Sequence, residues 1–208
     1  RRIANGVMLN KPTVRSNGEW IMPCALWNDY CNIPCENHPE LANEVSANIY
    51  VSEDNGETFY LRGGFDAPDR TFDEHMLIER KDGRIWMLIR YKHGIYQAFS
   101  RDGGVTWDNP GFSGHVGPNS RFFIRRLSSG KILLINNINP TYLTNKKIWN
   151  VRNNLMAMLS NDDGKTWYGG LMLDTRNDVT YPDGVEDKDG RIYITYDHDR
   201  MGEREILL

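Results

Sequence analysis

An eight-residue motif that occurs three times constrains the fold of this 208-residue chain more than any other feature of the sequence. Its frame is Ser-x-Asp-x-Gly-x-Thr followed by an aromatic residue, and the three copies span residues 52–59, 100–107 and 160–167. The aromatic residue is Phe59 in the first copy and tryptophan in the other two. Three matches to one frame in so short a chain indicate an internal repeat.

The residue types of the motif are those of a tight turn that leads into a β-strand. An aspartate two places after a serine can accept hydrogen bonds from the backbone N–H groups ahead of it. Glycine adopts the positive φ that a tight hairpin needs, and threonine followed by an aromatic residue favours the start of a strand. We therefore expect the motif to be a structural turn whose residues take no part in catalysis.

A second turn signal precedes each copy of the motif, and a fourth such signal follows the last copy. Each one consists of an apolar segment, a polar turn that contains glycine, and another apolar segment. The four segments are residues 14–22, 78–89, 124–135 and 185–194. Their turn glycines recur at intervals of 47 to 65 residues. A complete unit therefore contains four strands, which is typical of a blade of a β-propeller.

The motif resembles the Asp-box, or BNR repeat, of the sialidase superfamily. This resemblance implies an all-β fold, the sialidase-type six-bladed β-propeller, of which the chain holds about four C-terminal blades. Residues 1–208 would then form one partial propeller domain, with an incomplete last unit and the first blade or two upstream of residue 1. Residues 27–45 are predicted to form a loop insertion, and residues 39–46 have room for a short helical turn at most.

Four polar residues near the predicted central axis extend the resemblance to a functional site. Glu74 precedes the apolar segment 76–78, and Arg90 lies ten residues before the second motif. Arg152 lies eight residues before the third motif, and Tyr181 opens the last unit. This order is similar to that of the sialidases, in which a glutamate, two arginines of the carboxylate-binding triad and a tyrosine nucleophile follow one another.

The resemblance implies a retaining exo-glycosidase that removes terminal sialic acid, or a similar acidic sugar, from glycans. Sialic acid has a carboxylate on its anomeric carbon that would repel an anionic nucleophile, and sialidases accordingly use a tyrosine. Because a phenol loses its proton only near pH ~10 in water, Tyr181 would need Glu74 as its base. Arg90 and Arg152 would hold the substrate carboxylate through fork-shaped, charge-assisted hydrogen bonds.

The chain departs from the family pattern in two ways. The first arginine of the triad and the aspartate acid/base belong to the first blade, which we expect upstream of residue 1. Tyr181 is followed by Pro182 and Asp183, where familiar sialidases more often have serine and an apolar residue, and this indicates a divergent bacterial branch. We interpret Asp183 as a turn former rather than an acid, and Arg121 as a weaker candidate for the cleft.

Each candidate residue also has a purely structural interpretation. Tyr181 alone would fit the core of an inner strand, Glu74 would fit a turn cap, and the arginines would fit ion pairs with neighbouring strands. Two further functions therefore stay open: a non-catalytic glycan- or protein-binding propeller, and a related propeller glycosidase that acts on another sugar. A hydrogen bond between Glu74 and Tyr181 would favour catalysis, whereas separation by the width of a blade would favour binding alone.

Charge and cysteine content limit the partners and cofactors. The net charge of -3, without runs of lysine or arginine, argues against nucleic acid and anionic membrane surfaces, and no apolar stretch is long enough for membrane insertion. Cys24, Cys31 and Cys35 match no zinc spacing, so we expect free thiols or one local disulfide. We predict a glycan substrate and no metal or other cofactor. The resemblance implies a secreted or periplasmic location, and the oligomeric state is not specified.

Overall fold

The computed structural model describes residues 1–27, 39–70, 72–139 and 151–208. This part of the chain contains fifteen strands and one 3-10 helix, Pro39–Glu44, which lies within the segment for which the sequence allows only a short helical turn. Cys31, Cys35 and most of the predicted loop insertion lie outside the described residues. Cys24 is a buried free thiol, and burial raises its pKa to about 11.

The strands form four sheets in which each strand pairs with its neighbours in the chain. The first sheet contains β1 (Thr13–Val14), β2 (Trp20–Ala25), β3 (Ala47–Ser52) and β4 (Tyr60–Phe65). The second contains β5 (Met76–Glu79), β6 (Ile85–Tyr91), β7 (Gly94–Ser100) and β8 (Asp108–Val116). The third contains β9 (Phe123–Arg126), β10 (Ile132–Asn137), β11 (Leu155–Ser160) and β12 (Tyr168–Asp174). The fourth contains β13 (Val179–Glu186), β14 (Ile192–His198) and β15 (Glu205–Leu207).

This order confirms the predicted unit of strand, turn, strand, connection, strand, motif and strand. The polar turns join β1 to β2, β5 to β6, β9 to β10 and β13 to β14, whereas the motif joins β3 to β4, β7 to β8 and β11 to β12. The last sheet has three strands in the described part of the chain. Among the described residues, no helix has the length and hydrophobicity that a bilayer crossing requires.

The chain divides into two compact units, residues 1–91 with 95–113 and residues 92–94 with 114–208. In the first unit, Ile21, Ile49 and Met87 are fully buried in one hydrophobic core. In the second unit, all six residues of β10 are buried. Strands that are buried on both faces appear in sequence as continuous apolar runs rather than as an alternating pattern, and this explains why β6 and β10 are so easily recognised in the sequence.

The repeated motif forms a turn that is closed by its own hydrogen bonds. In the second copy, the hydroxyl of Ser100 donates to Asp102 Oδ1 at 2.8 Å and accepts from the N–H of Gly104 at 2.7 Å. The same Asp102 oxygen accepts from the N–H of Thr106 at 2.9 Å. Gly104 has a φ of 103°, and a Cβ at this position would lie 2.9 Å from the side chain of Ile49. The position therefore requires glycine.

The other two copies have the same hydrogen bonds between corresponding residues. The participants are Ser52, Asp54, Gly56 and Thr58 in the first copy and Ser160, Asp162, Gly164 and Thr166 in the third. Bonds from the threonine hydroxyl and N–H lower the pKa of Asp54 to about 2. The aspartate therefore stays ionised and keeps accepting these bonds over the whole physiological pH range.

We predict that Ser100→Ala lowers the free energy of unfolding by about 1–2 kcal/mol, because it leaves an N–H and a carboxylate oxygen without the hydroxyl that joins them. Chemical denaturation measured by circular dichroism would test this. Ser129→Ala, in an exposed turn of the same chain, is the matched control and should change stability by less than about 0.5 kcal/mol. Equal effects of the two substitutions would contradict the structural role of the motif.

Candidate functional site

The first unit brings Glu74 and Arg90 together in a buried ion pair. Arg90 Nη1 donates to Glu74 Oε2 at 2.6 Å, and the two side chains are 4% and 2% exposed. Arg90 belongs to β6, and its backbone N–H donates to the carbonyl of Asp73 at 2.9 Å. The segment that carries Glu74 is thereby attached to the end of β6, and the guanidinium also lies 5.1 Å from the ring centre of Phe72.

The backbone at Glu74 has an unusual conformation that is fixed by a side chain from outside the sheet. Its φ is 34°, a positive value that non-glycine residues seldom adopt. The amide of Asn10, a buried residue, donates to the carbonyl oxygens of Glu74 and His75 at 2.6 and 2.8 Å. Such conformations persist only where surrounding contacts enforce them, and they are concentrated at functional sites.

A second buried ion pair lies beside Glu74. Arg70 Nη1 donates to Asp73 Oδ2 at 2.6 Å, and its Nη2 donates to the carbonyl of Val45 at 2.6 Å. Burial raises the pKa of Asp73 to about 6 although the Arg70 charge opposes this shift. Burial lowers the pKa of His75 to about 4, and its Nε2 lies 2.8 Å from the carbonyl oxygen of Asn48. His75 is therefore a neutral residue of the core and not an acid/base candidate.

In the second unit, Tyr181 lies on a β-bulge. It belongs to β13, where the pairing with β14 shifts register between Thr180 and Asp183, and its φ is 51°. A bulge turns a side chain away from the direction that regular pleating would give it. The prediction that Pro182–Gly184 forms a turn is wrong, because β13 continues through these residues to Glu186. The bulge lies at Tyr181 and Pro182, whereas Asp183 and Gly184 pair regularly with Thr195 and Ile194.

Two arginines lie against the ring of Tyr181. The Arg200 guanidinium carbon is 3.9 Å from the ring centre, and that of Arg121 is 6.0 Å away. Arg200 is held in place by an ion pair with Asp197. Arg121 is 5% exposed, donates to the carbonyl of Pro182 and lies 3.9 Å from the carboxylate of Asp183. Two guanidinium groups, each with a carboxylate beside it, therefore lie near the phenol ring.

Arg152 approaches the same strand through its backbone. Its carbonyl accepts a hydrogen bond from the N–H of Val179, two residues before Tyr181, at 3.2 Å. Its Nη2 donates to the carbonyl of Asn119 at 3.1 Å. The backbone of Arg152 is thus attached to the start of β13.

Of the four predicted site residues, Glu74 and Arg90 lie in the first unit and form an ion pair. Arg152 and Tyr181 lie in the second unit. The predicted hydrogen bond between Glu74 and Tyr181 stays a prediction. Arg200 was not identified from the sequence, because it lies in the turn between β14 and β15 and no repeat or spacing marks it. Only the pairing of β14 with β13 explains its position near Tyr181.

One group among the described residues has the spacing of a metal site. The ligand atoms of His198, Glu203 and Glu205 lie within 4.8 Å of one another. However, Glu205 is already paired with His198 at 2.8 Å and with Arg176 at 3.3 Å. A guanidinium in contact with the carboxylate favours an exposed network of ion pairs over a bound cation.

We predict that Arg90→Met destabilises the protein by about 3 kcal/mol, because Glu74 would be left as a buried carboxylate without its cation. Glu74→Gln combined with Arg90→Met should recover part of this loss, since the buried charge is then absent as well. Urea denaturation of the two variants would measure the difference. Arg84→Met removes an arginine from a more exposed ion pair with Asp82 and serves as the control, with an expected cost below about 1 kcal/mol.

We also predict that His75 makes the protein sensitive to acid. Because its pKa is lowered to about 4 in the folded state, unfolding takes up a proton below pH ~6.5, and stability falls as the pH decreases from there towards 4. Relative to His75→Gln, the unmodified chain should lose about 2 kcal/mol of stability between pH 7 and 4.5. Asp73, whose pKa is raised to about 6, acts in the opposite direction in both proteins, so the difference between the two isolates His75. Parallel stability curves would refute this prediction.

Comparison with known proteins places these features in a family. A model of the BNR repeat-like domain matches residues 2–194. A Dyadobacter fermentans protein of unknown function has 19% identity and a TM-score of 0.65, over 94% of this chain and 50% of that one. The intramolecular trans-sialidase of Ruminococcus gnavus has 19% identity and a TM-score of 0.61, over 92% and 38%. The α-L-arabinanase of Penicillium chrysogenum has 15% identity and a TM-score of 0.59, over 94% and 59%. No curated protein sequence matches the chain.

These similarities confirm the predicted fold class, an all-β chain with the blades of a sialidase-type propeller. The chain spans half or less of the length of the Dyadobacter and Ruminococcus proteins. At these identities the similarity to the trans-sialidase and the arabinanase shows the fold of the chain. Because the family match extends over nearly the whole sequence, the chain belongs to the BNR repeat-like domain family.

Proposed function

We propose that this chain carries part of the active site of a retaining exo-glycosidase of sialidase type, which hydrolyses terminal sialic acid or a similar acidic sugar. The observation that supports this most directly is the position of Tyr181 on a bulge between Arg121 and Arg200. Guanidinium groups beside the ring can bind an anionic sugar through charge-assisted hydrogen bonds, so the nucleophile and its substrate would share one environment.

In this mechanism, the Tyr181 oxygen forms a bond to the anomeric carbon while the glycosidic C–O bond breaks. The leaving oxygen takes a proton from a general acid, which the resemblance to sialidases identifies as an aspartate of the first blade. Water then attacks the glycosyl–tyrosine intermediate and returns the phenol oxygen, so that two displacements retain the anomeric configuration. A tyrosine suits this reaction because an anionic carboxylate nucleophile would be repelled by the carboxylate of the sugar.

Glu74 and Arg90 have linked roles in the proposal. Arg90 and Arg152 bind the substrate carboxylate, and the 2.6 Å contact with Glu74 fixes the orientation of the Arg90 fork. A carboxylate has two oxygens, so Glu74 can hold Arg90 with one and take the Tyr181 proton with the other. The buried ion pair supports the first role, and the second rests on the resemblance to sialidases.

Asp183 favours a second candidate function, a propeller glycosidase that acts on a neutral sugar. Its side chain is 35% exposed and lies beside Arg121, on the strand that carries Tyr181. Glycosidases of neutral sugars use a pair of carboxylates, and a solvent-accessible aspartate on this strand could supply one of them. In that case Asp183, and not Tyr181, would be essential.

We predict that Tyr181→Phe reduces hydrolysis of a fluorogenic sialoside by at least about 1,000-fold, because the variant keeps the ring beside the arginines but lacks the nucleophilic oxygen. The assay requires the protein at its natural length. Tyr193→Phe, which removes the hydroxyl of an exposed tyrosine in β14, is the control and should retain full activity.

Other outcomes distinguish the alternatives. Cleavage of an α-L-arabinoside that is lost in Asp183→Asn but not in Tyr181→Phe would support the second candidate. If the folded protein binds a sialoside saturably but does not hydrolyse it, this would support a glycan-binding propeller without catalytic activity. Full sialidase activity in Tyr181→Phe would refute the proposed nucleophile.

A further inference from the structure

One buried side chain of the second unit bonds to both of the segments that carry predicted site residues. Asn137, the last residue of β10, is 2% exposed. Its Nδ2 donates to the carbonyl of Asn153 at 3.1 Å and to the carbonyl of Val179 at 2.9 Å. Asn153 follows Arg152 directly, and Val179 lies two residues before Tyr181. A single amide therefore joins the backbone beside Arg152 to the backbone beside Tyr181.

The orientation of this amide follows from its surroundings. The NH₂ group of an asparagine has two donors, whereas its oxygen and a backbone carbonyl oxygen only accept hydrogen bonds. The two donors of Asn137 thus match two carbonyl oxygens, and the opposite orientation would place a third oxygen against them. The Oδ1 atom of Asn137 is buried without a hydrogen-bond partner among the described residues, so the amide acts there through its two donors.

The segments joined by Asn137 also meet directly, through longer hydrogen bonds. The N–H of Val179 donates to the carbonyl of Arg152 at 3.2 Å, and the exposed Nδ2 of Asn153 donates to Asn177 Oδ1 at 3.3 Å. Hydrogen bonds between nitrogen and oxygen are most favourable near 2.9–3.0 Å. The buried bond from Asn137 to Val179 is therefore the strongest of these contacts.

The first unit contains a similar arrangement next to Glu74. There the buried amide of Asn10 donates to two backbone carbonyls, one of them that of Glu74, whose φ is 34°. In the second unit, Asn154 and Tyr181 each have a φ of 51°. Such conformations persist only where surrounding contacts enforce them. In both units, an asparagine that binds two carbonyls lies close to predicted site residues and to non-glycine residues of positive φ.

We propose that Asn137 is a positioning residue of the candidate site, which sets the spacing of the two segments and so orients Tyr181 towards a substrate bound by Arg152. This inference rests on the proposed function, from which the roles of Arg152 and Tyr181 are taken. Asn137 touches no reacting atom and acts through the backbone at Val179. Because a displacement of about 1 Å can reduce a reaction rate about 100-fold, loss of its two bonds should be visible in catalysis.

Hydrolysis of a fluorogenic sialoside by the protein at its natural length tests this role. We expect Asn137→Ala to lower kcat/KM about 100-fold, mainly through kcat, because the substrate still binds but the nucleophile is misaligned. Circular dichroism would confirm that each variant is folded under the assay conditions.

Asn136→Ala is the matched control, because it also removes a buried amide from β10. Asn136 is 4% exposed, and neighbouring residues of a strand point to opposite faces. Its Nδ2 donates to the carbonyl of Asn137 at 3.3 Å, within the same strand, and not to either of the segments that Asn137 joins. This substitution should change kcat/KM by less than about threefold.

Carbon-13 NMR of the same protein, labelled at tyrosine Cζ, provides a readout that does not require activity. The Tyr181 resonance is identified by its loss in Tyr181→Phe. In Asn137→Ala it should shift by more than its line width, because the ring is displaced from its position against Arg200, and in Asn136→Ala it should not move. If Asn137→Ala does not fold, Asn137→Ser takes its place, since a hydroxyl has one donor and cannot join two carbonyls.

The two measurements separate this inference from the proposed function. If the unmodified protein does not hydrolyse the sialoside, the proposed function is refuted, and the Tyr181 resonance still decides whether Asn137 positions the tyrosine. An unchanged Tyr181 resonance or an unchanged kcat in the Asn137 variant would refute the role of Asn137. Equal effects of the Asn136 and Asn137 substitutions would refute it as well.

Discussion

Three connections between strands are each closed by one aspartate carboxylate, that of Asp54, Asp102 or Asp162. The order of the strands depends on these three turns. In each copy of the motif the aspartate accepts hydrogen bonds from the threonine N–H and from the serine hydroxyl. The serine in turn accepts from the glycine N–H, so a buried hydroxyl and two backbone donors are satisfied within eight residues. Because these bonds are local, the chain reverses at the same point in three different sheets. Each reversal then pairs the outer strand with its neighbour in the same way.

A second constraint on the fold is the pairing of buried charged side chains at residues 73 and 74, in the segment that carries the candidate site residue Glu74. A charge taken out of water must be paired or it destabilises the fold. Glu74 with Arg90 and Asp73 with Arg70 meet this requirement in the first unit. Both pairs lie on adjacent residues of one segment, and Asn10 holds its backbone in a conformation with positive φ at Glu74. Such an arrangement is costly to build, which is why we interpret it as part of a functional site rather than as a source of stability.

The corresponding feature of the second unit is the position of Tyr181 near two arginines. Tyr181 is turned out of regular pleating by a bulge, and Arg121 and Arg200 approach its ring from separate segments of the chain. The sequence pointed to Tyr181 through its order relative to Glu74 and the arginines. It did not indicate Arg200, and it suggested a turn where β13 continues. Proline, aspartate and glycine are signals of irregular backbone, and local sequence does not distinguish a turn from a bulge within a paired strand.

Local hydrogen bonding and hydrophobic runs are encoded within short segments, and for this reason the motif turns, the strand order and the all-β class could be predicted from the sequence alone. The four candidate residues could also be named in advance, because their order relative to the motifs is a linear property. The ion pair between Glu74 and Arg90, the arginines near Tyr181 and the ring contact of His115 with Trp167 join residues that are 16 to 60 positions apart. Such contacts arise only when strands pair and sheets pack, so the tertiary structure alone decided which side chains meet.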